Sequence, residues 1–284
     1  MRLNNTEILL TEPRGFCAGV ERAIEIVNRA VEIFDETIYV KHEVVHNKQV
    51  IEKLVEKGVV FVDSLDIVPD GSILIYSAHG VSKEISDSAK KKRLKIFDAT
   101  CPLVTKVHFE IHKFASQNVD VVLVGHSGHP EVEGTMGQYI SEKGKIHLIE
   151  TTNDIETLNI DNDKLAYVTQ TTLSVDDTHN IVANLKKKFP NILGPRKDDI
   201  CYATQNRQEA VKKILEFCDS LIVVGSQNSS NSQRLREIGV QYGIKSYLID
   251  DINQISIDDL SGDKVVGITA GASAPEDTVE SLVK

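Results

Sequence analysis

Residues 121–130 read VVLVGHSGHP and show the pattern that decides the fold: four apolar residues, a short polar loop with glycines, and a proline. The same order of apolar run and small polar loop recurs at 73–80 (ILIYSAHG), 221–231 (LIVVGSQNSSN) and 265–273 (VVGITAGAS). Short continuous apolar runs are typical of buried parallel strands. Amphipathic helices alternate with these runs, so the sequence predicts an α/β protein.

One predicted helix begins directly after Cys17, and its apolar face is expected to carry Val20, Ile24, Val27 and Val31. The strand–loop–helix theme recurs at intervals of roughly one small domain, with no Pro-, Gly- or Ser-rich linker between the parts. We therefore expect three similar α/β units, made of residues 18–101, residues 102–197, and residues 198–284 together with 1–17. In open α/β sheets, ligands bind at the carboxyl ends of the strands, so three units that face one another would line one central cavity.

The composition excludes several classes of protein. A net charge of −10 over 284 residues argues against nucleic acid as a partner, because phosphate contacts need clustered Lys and Arg. No apolar run reaches membrane-spanning length, and residues 1–6 lack the apolar core of a signal peptide. A reducing cytoplasm and no membrane partner are the expectation. In that compartment four cysteines favour metal or redox chemistry over disulfides, although no CxxC pair is present.

Three of the cysteines occupy similar places. Cys17, Cys101 and Cys201 are 84 and 100 residues apart, and each lies where a strand ends or a helix begins. Three thiolates that converge on one point would suggest a metal centre with a vacant coordination position. Three separate buried cysteines are an equally good interpretation of the spacing alone. Cys218 lies at an apolar helical run and is expected to be part of the core.

Polar residues at the predicted strand ends are the other candidates. His79 and His129 lie in glycine-containing loops that allow close approach of a ligand. Residues 227–232 (QNSSNS) meet the start of a helix and are suited to an anion such as phosphate, and residues 272–275 are a second candidate of this kind. Glu131 lies in a glycine-bounded loop, where a desolvated carboxyl could deliver a proton. Spacing alone favours an ordinary surface glutamate at that position.

Eight segments in order, covering nearly the whole chain, closely resemble the LytB/IspH family of 4-hydroxy-3-methylbut-2-enyl diphosphate reductases. The segments are 13–20 (PRGFCAGV), 42–47 (HEVVHN), 99–102 (ATCP), 128–131 (GHPE), 170–174 (QTTLS), 194–204 (GPRKDDICYAT), 228–232 (NSSNS) and 270–275 (AGASAP).

The resemblance implies three α/β units in a pseudo-threefold trefoil around a central iron–sulfur cluster. Cys17, Cys101 and Cys201 would hold one [4Fe–4S] cluster per chain, which can be isolated as [3Fe–4S]. Glu131 matches the proton donor of the family, and Thr171 matches the threonine near the substrate hydroxyl. The positions that match the diphosphate-binding residues are His46, His79, His129, Ser229, Ser230, Asn231 and Ser273.

The implied reaction is the reductive dehydration of (E)-4-hydroxy-3-methylbut-2-enyl diphosphate, an allylic diphosphate, to isopentenyl and dimethylallyl diphosphate. It is the last step of the non-mevalonate (MEP) isoprenoid pathway. The chain has no flavin or nicotinamide motif, so reduced ferredoxin or flavodoxin is the expected electron donor. Another three-cysteine cluster dehydratase, a zinc hydrolase with three Cys ligands and a non-catalytic redox sensor remain the alternatives.

Overall fold

The computed structural model describes residues 2–3, 6–161 and 164–283. The chain forms two compact units. The first unit comprises the described parts of Met1–Glu21, Val45–Lys53 and Tyr202–Lys284, and the second unit comprises those of Arg22–Val44 and Leu54–Cys201.

Strands and helices alternate along most of the chain. The strands are β1 (Arg2–Leu3), β2 (Thr6–Leu10), β3 (Ile38–Lys41), β4 (Val60–Val62), β5 (Ile73–Tyr76), β6 (Lys95–Asp98), β7 (Asp120–Val124), β8 (Ile146–Ile149), β9 (Leu165–Thr169), β10 (Ser220–Val224), β11 (Lys245–Ile249) and β12 (Val265–Ala270). The helices are α1 (Ala18–Ile33), α2 (Lys48–Glu56), α3 (Lys83–Lys91), α4 (Pro102–Ser116), α5 (Pro130–Met136), α6 (Thr152–Thr157), α7 (Val175–Lys188), α8 (Tyr202–Leu215), α9 (Ser230–Gln241) and α10 (Glu276–Val283).

The first unit contains one sheet with the strand order β1-β2-β12-β10-β11. All neighbouring strands are parallel except β1, which pairs antiparallel with β2. Every residue of β10 is buried, and so are the last five of β12, because helices cover both faces of a parallel sheet. The carboxyl ends of these two central strands lead into the loops at 225–229 and 271–275.

The second unit contains two wholly parallel sheets. One has the order β4-β3-β5-β6 and the other the order β8-β7-β9. The predicted runs at 73–76 and 121–124 are strands β5 and β7, and every residue of both strands is buried. These parallel sheets with alternating helices confirm the α/β fold class, whereas the boundaries of the three predicted units remain a prediction.

The buried face of α1 differs from the predicted one. Ala23, Val27 and Ala30 are its buried residues, while Val20, Ile24 and Val31 are only partly buried. The spacing of three and four residues between the buried positions is the helical one. Two of the three are alanines, which a search for large apolar residues passes over.

None of the helices in the described parts of the chain is both long and apolar enough to cross a membrane.

Candidate active site

Glu131 lies in the first turn of α5, not in a loop as predicted. Pro130 occupies the first helical position, where its missing N–H would have no helical partner in any case. His129 caps the helix, and its Nδ1 accepts a hydrogen bond of 3.1 Å from the backbone N–H of Glu131. The sequence HPE therefore starts a helix and fixes Glu131 at its N-terminal end.

The carboxyl of Glu131 is buried, with 4% of the residue exposed, so the interpretation as a surface glutamate is wrong. Oε1 accepts a hydrogen bond of 2.6 Å from the backbone N–H of Thr171, and Oε2 accepts one of 3.0 Å from the Thr171 hydroxyl. Burial raises the pKa of Glu131 from 4.5 to about 7; the two hydrogen bonds from Thr171 lower this pKa, and the nearby Asp199 raises it further. A group with this pKa can hold a proton at neutral pH and deliver it.

A second buried carboxyl, Asp199, lies in the same unit, and the sequence pattern does not single it out. Its side chain is inaccessible to solvent, and Oδ1 is 2.9 Å from the Nζ of Lys106. Burial raises the pKa of Asp199 to about 6, and the hydrogen bond and charge of Lys106 oppose that rise. The sequence feature that could have identified Asp199 is the pair of acidic residues directly before Ile200-Cys201. Two adjacent acidic residues are more typical of an exposed charged segment, so this feature does not predict burial.

His79 and His129 lie together in the second unit. Their rings meet edge to face, with centroids 5.6 Å apart. The Nδ1 of His79 lies 3.4 Å from the Ser77 hydroxyl. Gly80 follows with φ +77°, and a Cβ at this position would lie 2.7 Å from Cε1 of His108. The loop that carries His79 therefore packs closely on α4, and its positive φ favours glycine at position 80.

Two of the three candidate thiols are also in the second unit. Cys101 occupies the N-cap position of α4 without a capping hydrogen bond from its side chain, and its backbone N–H donates to Ala78 O at 3.0 Å. The N–H of Cys201 donates to Thr171 O at 3.0 Å, so Thr171 contacts both the proton-holding carboxyl and a candidate ligand. Both cysteines are partly exposed.

The third candidate thiol, Cys17, belongs to the first unit. It directly precedes α1, and its N–H donates to Ala272 O at 3.1 Å. Cys218 differs from it, because Cys218 is buried in the core and burial raises the pKa of its thiol to about 11. The core prediction for Cys218 is confirmed, and its thiol is the least suited of the four to act as a thiolate ligand.

The polar segment at 227–232 consists of a short loop and the first turn of α9. Ser229 caps the N-terminus of α9, which begins at Ser230. Asn231 accepts a hydrogen bond of 2.8 Å from Ala272 N–H and lies 3.4 Å from the Thr204 hydroxyl through Nδ2. This amide therefore joins the first turn of α9 to the segment that anchors the N–H of Cys17.

His46 and Ser273 are neighbours in the first unit. The Ser273 hydroxyl donates to His46 O at 2.8 Å, and Nδ2 of Asn228 lies 3.4 Å from Nδ1 of His46. Ser229, Asn231 and Ser273 are all buried. Hydroxyl, amide and imidazole groups thus gather at the start of α9 and at the end of β12, where a helix N-terminus favours an anion.

The thiols fit the iron–sulfur cluster that the resemblance implies. Cys17, Cys101 and Cys201 are partly exposed and in no disulfide, and each lies within one residue of the start of a helix, where a thiolate is stabilised. Thiolates are the usual ligands of iron–sulfur clusters. Among the residues that the structure describes, no three His, Cys, Asp or Glu side chains are grouped to hold a single metal ion.

These features define a class: an α/β protein with three cysteines at helix starts, a buried carboxyl that can hold a proton at neutral pH, and polar groups suited to an anion. A family model described as LytB protein matches residues 8–284. The chain belongs to the LytB family.

Named relatives and solved structures agree with this assignment. A 4-hydroxy-3-methylbut-2-enyl diphosphate reductase from Methylococcus capsulatus is 59% identical over 278 residues, which cover 98% of this chain and 89% of the relative. The reductase of the same name from Nitrosomonas europaea is 55% identical, and the match covers 98% of this chain and 86% of the relative.

Two solved structures are similar over 98% of this chain. The E-1-hydroxy-2-methyl-but-2-enyl-4-diphosphate reductase from Plasmodium falciparum has a TM-score of 0.94 and 44% identity, with 87% of that chain covered. A structure of (E)-4-hydroxy-3-methyl-but-2-enyl diphosphate reductase, described as the terminal enzyme of the non-mevalonate pathway, has a TM-score of 0.69 and 32% identity, with 98% covered.

Proposed function

We propose that this protein reductively dehydrates (E)-4-hydroxy-3-methylbut-2-enyl diphosphate to isopentenyl diphosphate and dimethylallyl diphosphate, the last step of the non-mevalonate isoprenoid pathway. The names of its relatives support this activity over nearly the full chain. The structural observation that carries the proposal is the buried Glu131 carboxyl, which Thr171 holds by two hydrogen bonds and whose pKa is about 7.

Cys17, Cys101 and Cys201 would hold one [4Fe–4S] cluster, isolated as [3Fe–4S] when the iron without a protein ligand is lost. When bound, such a cluster supplies electrons and, at that iron, Lewis acidity toward the substrate hydroxyl. A Cys→Ser change at any of the three should lower the iron content of the purified protein, whereas Cys218→Ser should leave it unchanged, because the Cys218 thiol is a core group. Loss of iron in the Cys218 variant, with normal iron content in the other three variants, would contradict this assignment.

The reaction consumes two electrons and two protons and releases water. Glu131 is well placed to hold one of these protons, because its pKa keeps about half of the carboxyls protonated near pH 7. Thr171 holds both carboxyl oxygens in place, and its hydroxyl can pass a proton to or from Oε2. The substrate hydroxyl and its allylic carbon are the groups to be protonated.

The diphosphate would be bound by His46, His79, His129, Ser229, Ser230, Asn231 and Ser273. The start of α9 supports this assignment, since the helix N-terminus and the capping Ser229 favour negative charge. None of these seven side chains is a lysine or an arginine, so at least one histidine should be protonated when the diphosphate is bound. Pyrophosphate affinity should therefore weaken between pH 6 and pH 9, and unchanged affinity would contradict this arrangement.

Reduced ferredoxin or flavodoxin is the proposed electron donor, and the cytoplasm is the proposed location. Both proposals rest on the resemblance to the family. Encounters with such donors are usually small and transient. Reduction by either purified protein, followed as product formation, would test the donor.

The deciding experiment begins with anaerobic purification and analysis of iron and sulfide. A brown protein that converts the allylic diphosphate under a strong reductant supports the proposal, while a colourless zinc protein or a cluster protein without turnover contradicts it. Glu131→Gln should retain iron and substrate affinity but lower turnover by about 10²–10⁴-fold. The matched control is Glu133→Gln, an exposed carboxyl on the same helix, which should turn over normally. Near-normal turnover of Glu131→Gln would remove this residue from the proton-donor role.

A further inference from the structure

The amino group of Lys106 joins two segments that each carry a proposed cluster ligand. Lys106 is on α4, the helix whose N-cap residue is Cys101. Its Nζ donates hydrogen bonds of 2.9 Å to Lys197 O and of 2.9 Å to Asp199 Oδ1, both in the segment that leads into Cys201. We propose that Lys106 is a positioning residue that fixes the separation of the Cys101 and Cys201 thiols.

The Cys101 end of this connection is short and rigid. Lys106 lies five residues after Cys101, and the Cys101 carbonyl accepts the helical hydrogen bond of Thr105 N–H at 2.9 Å. The backbone N–H of Cys101 is itself bound to Ala78 O. A displacement of Lys106 would therefore move α4 and the thiol together, because little flexible chain lies between them.

The Cys201 end is held at further points. Oδ2 of Asp199 accepts a hydrogen bond of 3.0 Å from Thr169 N–H at the end of β9. The N–H of Cys201 donates to Thr171 O, two residues past that strand. Asp199 thus ties the segment to β9 through one oxygen and to α4 through the other. Residues 194–200 have no helix or strand of their own to fix their course.

Only the acidic partner of this ion pair is fully buried. The Asp199 side chain is wholly inaccessible and that of Lys106 is 33% exposed, while Glu110 lies 3.7 Å from the same amino group. Such an ion pair contributes little net stability compared with apolar residues of the same size, because the buried carboxylate loses its hydration. Its directional contacts do specify one geometry, which is the role of a positioning residue. This inference rests on the proposed function, in which Cys101 and Cys201 are cluster ligands.

The test measures the thiol separation directly and does not need the cluster. Spin labels are attached to Cys101 and Cys201 in the full chain carrying Cys17→Ser and Cys218→Ser, and EPR gives the distribution of distances between the labels. Lys106→Met should widen this distribution, and Lys106→Arg should keep it narrow, because a guanidinium can donate to the same two oxygens. The matched controls are Lys113→Met, exposed on the same helix, and Val107→Ala, buried beside Lys106. Both should keep the distribution narrow, although Val107→Ala lowers the melting temperature.

A second measurement links the geometry to the cluster. In the protein with all its native cysteines, Lys106→Met should release iron to a chelator at least about tenfold faster than the unsubstituted protein and alter the EPR spectrum of the reduced cluster. A narrow label distribution for Lys106→Met would overturn the proposal, as would an equal widening in Val107→Ala. If Lys106→Met does not fold, Lys106→Leu takes its place with the same expected and overturning results. A protein that binds no cluster refutes the proposed function instead, and the label distances still decide the role of Lys106.

Discussion

Replacing Glu131 by Gln should stabilise the protein at alkaline pH and leave its stability unchanged at acid pH. The raised pKa means that the folded state prefers the neutral carboxyl. Between pH 4.5 and about 7 the folded protein therefore binds more protons at this site than the unfolded chain does. The contribution of Glu131 to stability is fully present below pH 4.5 and is lost as the pH rises through about 7.

The size of the effect follows from the two pKa values. The difference between 4.5 and about 7, at about 1.36 kcal/mol per pH unit, corresponds to about 3 kcal/mol when Glu131 is ionised in both states. A glutamine side chain at this position has no such free-energy cost of burying a charge, because it is uncharged at every pH in this range. Its amide can keep both contacts, with the oxygen accepting from Thr171 N–H and the nitrogen donating to the Thr171 hydroxyl.

The assay is chemical unfolding of both proteins, matched for iron content, from pH 4 to pH 8. The unfolding free energy of Glu131→Gln minus that of the unsubstituted protein should rise from near zero to about 3 kcal/mol. Asp199 is present in both proteins, so most of its own pH dependence cancels in this difference. Glu133→Gln supplies a flat reference line, because Glu133 is exposed on the same helix. A difference that stays constant with pH, or that falls at pH 8, would refute the assignment of a buried, proton-holding carboxyl.

Two further changes test the surroundings of the site. Thr171→Val removes the hydroxyl that donates to Oε2 of Glu131 and should raise the pKa of Glu131 further. The decline of turnover at alkaline pH should therefore move to a pH higher by about one unit. An unchanged alkaline side of the pH–rate profile would contradict this prediction. Gly80→Ala should lower the unfolding free energy by about 1–3 kcal/mol, because its Cβ would meet His108 at 2.7 Å and the residue has positive φ. Gly128→Ala has the same φ of +77° but no heavy atom within 4 Å of its Cβ, so equal losses at the two positions would show that the clash has no effect.

Much of the sheet framework follows from the sequence. The run at 73–76 coincides with β5, and the run at 121–124 is β7 without its first residue. Both are continuous blocks of large apolar residues because helices cover both faces of each strand. The pattern does not identify β9, although all five of its residues are buried. Its sequence, LAYVT, mixes small, aromatic and polar residues, so burial by tertiary neighbours is not visible in the apolar pattern.

The local sequence predicts the structural positions of some candidate site residues but not of others. The capping role of Ser229 and the position of Cys101 before a helix follow from short-range rules, since both depend on adjacent residues. The burial of Glu131 and Asp199 cannot be predicted from short-range rules, because each residue is enclosed by segments distant in the chain. Spacing therefore predicted a surface glutamate at 131, and only the resemblance to a known family implied a proton-donor role for it.

The pairing of β7 with β9 explains how Glu131 and Thr171 come into contact. These parallel neighbours are in register, with Val124 opposite Thr169, so their carboxyl ends meet at one edge of the sheet. The chain after β7 turns into α5 and presents Glu131, while the chain after β9 presents Thr171, 40 residues further along. The hydrogen bond from Gln170 N–H to Val124 O, 2.8 Å long, continues the pairing past the strand ends and brings the two residues together. A shift of this register would move Thr171 away and leave the carboxyl without its donors. The contacts of Glu131, and with them the final value of its pKa, therefore depend on the strand register, which no local sequence signal encodes.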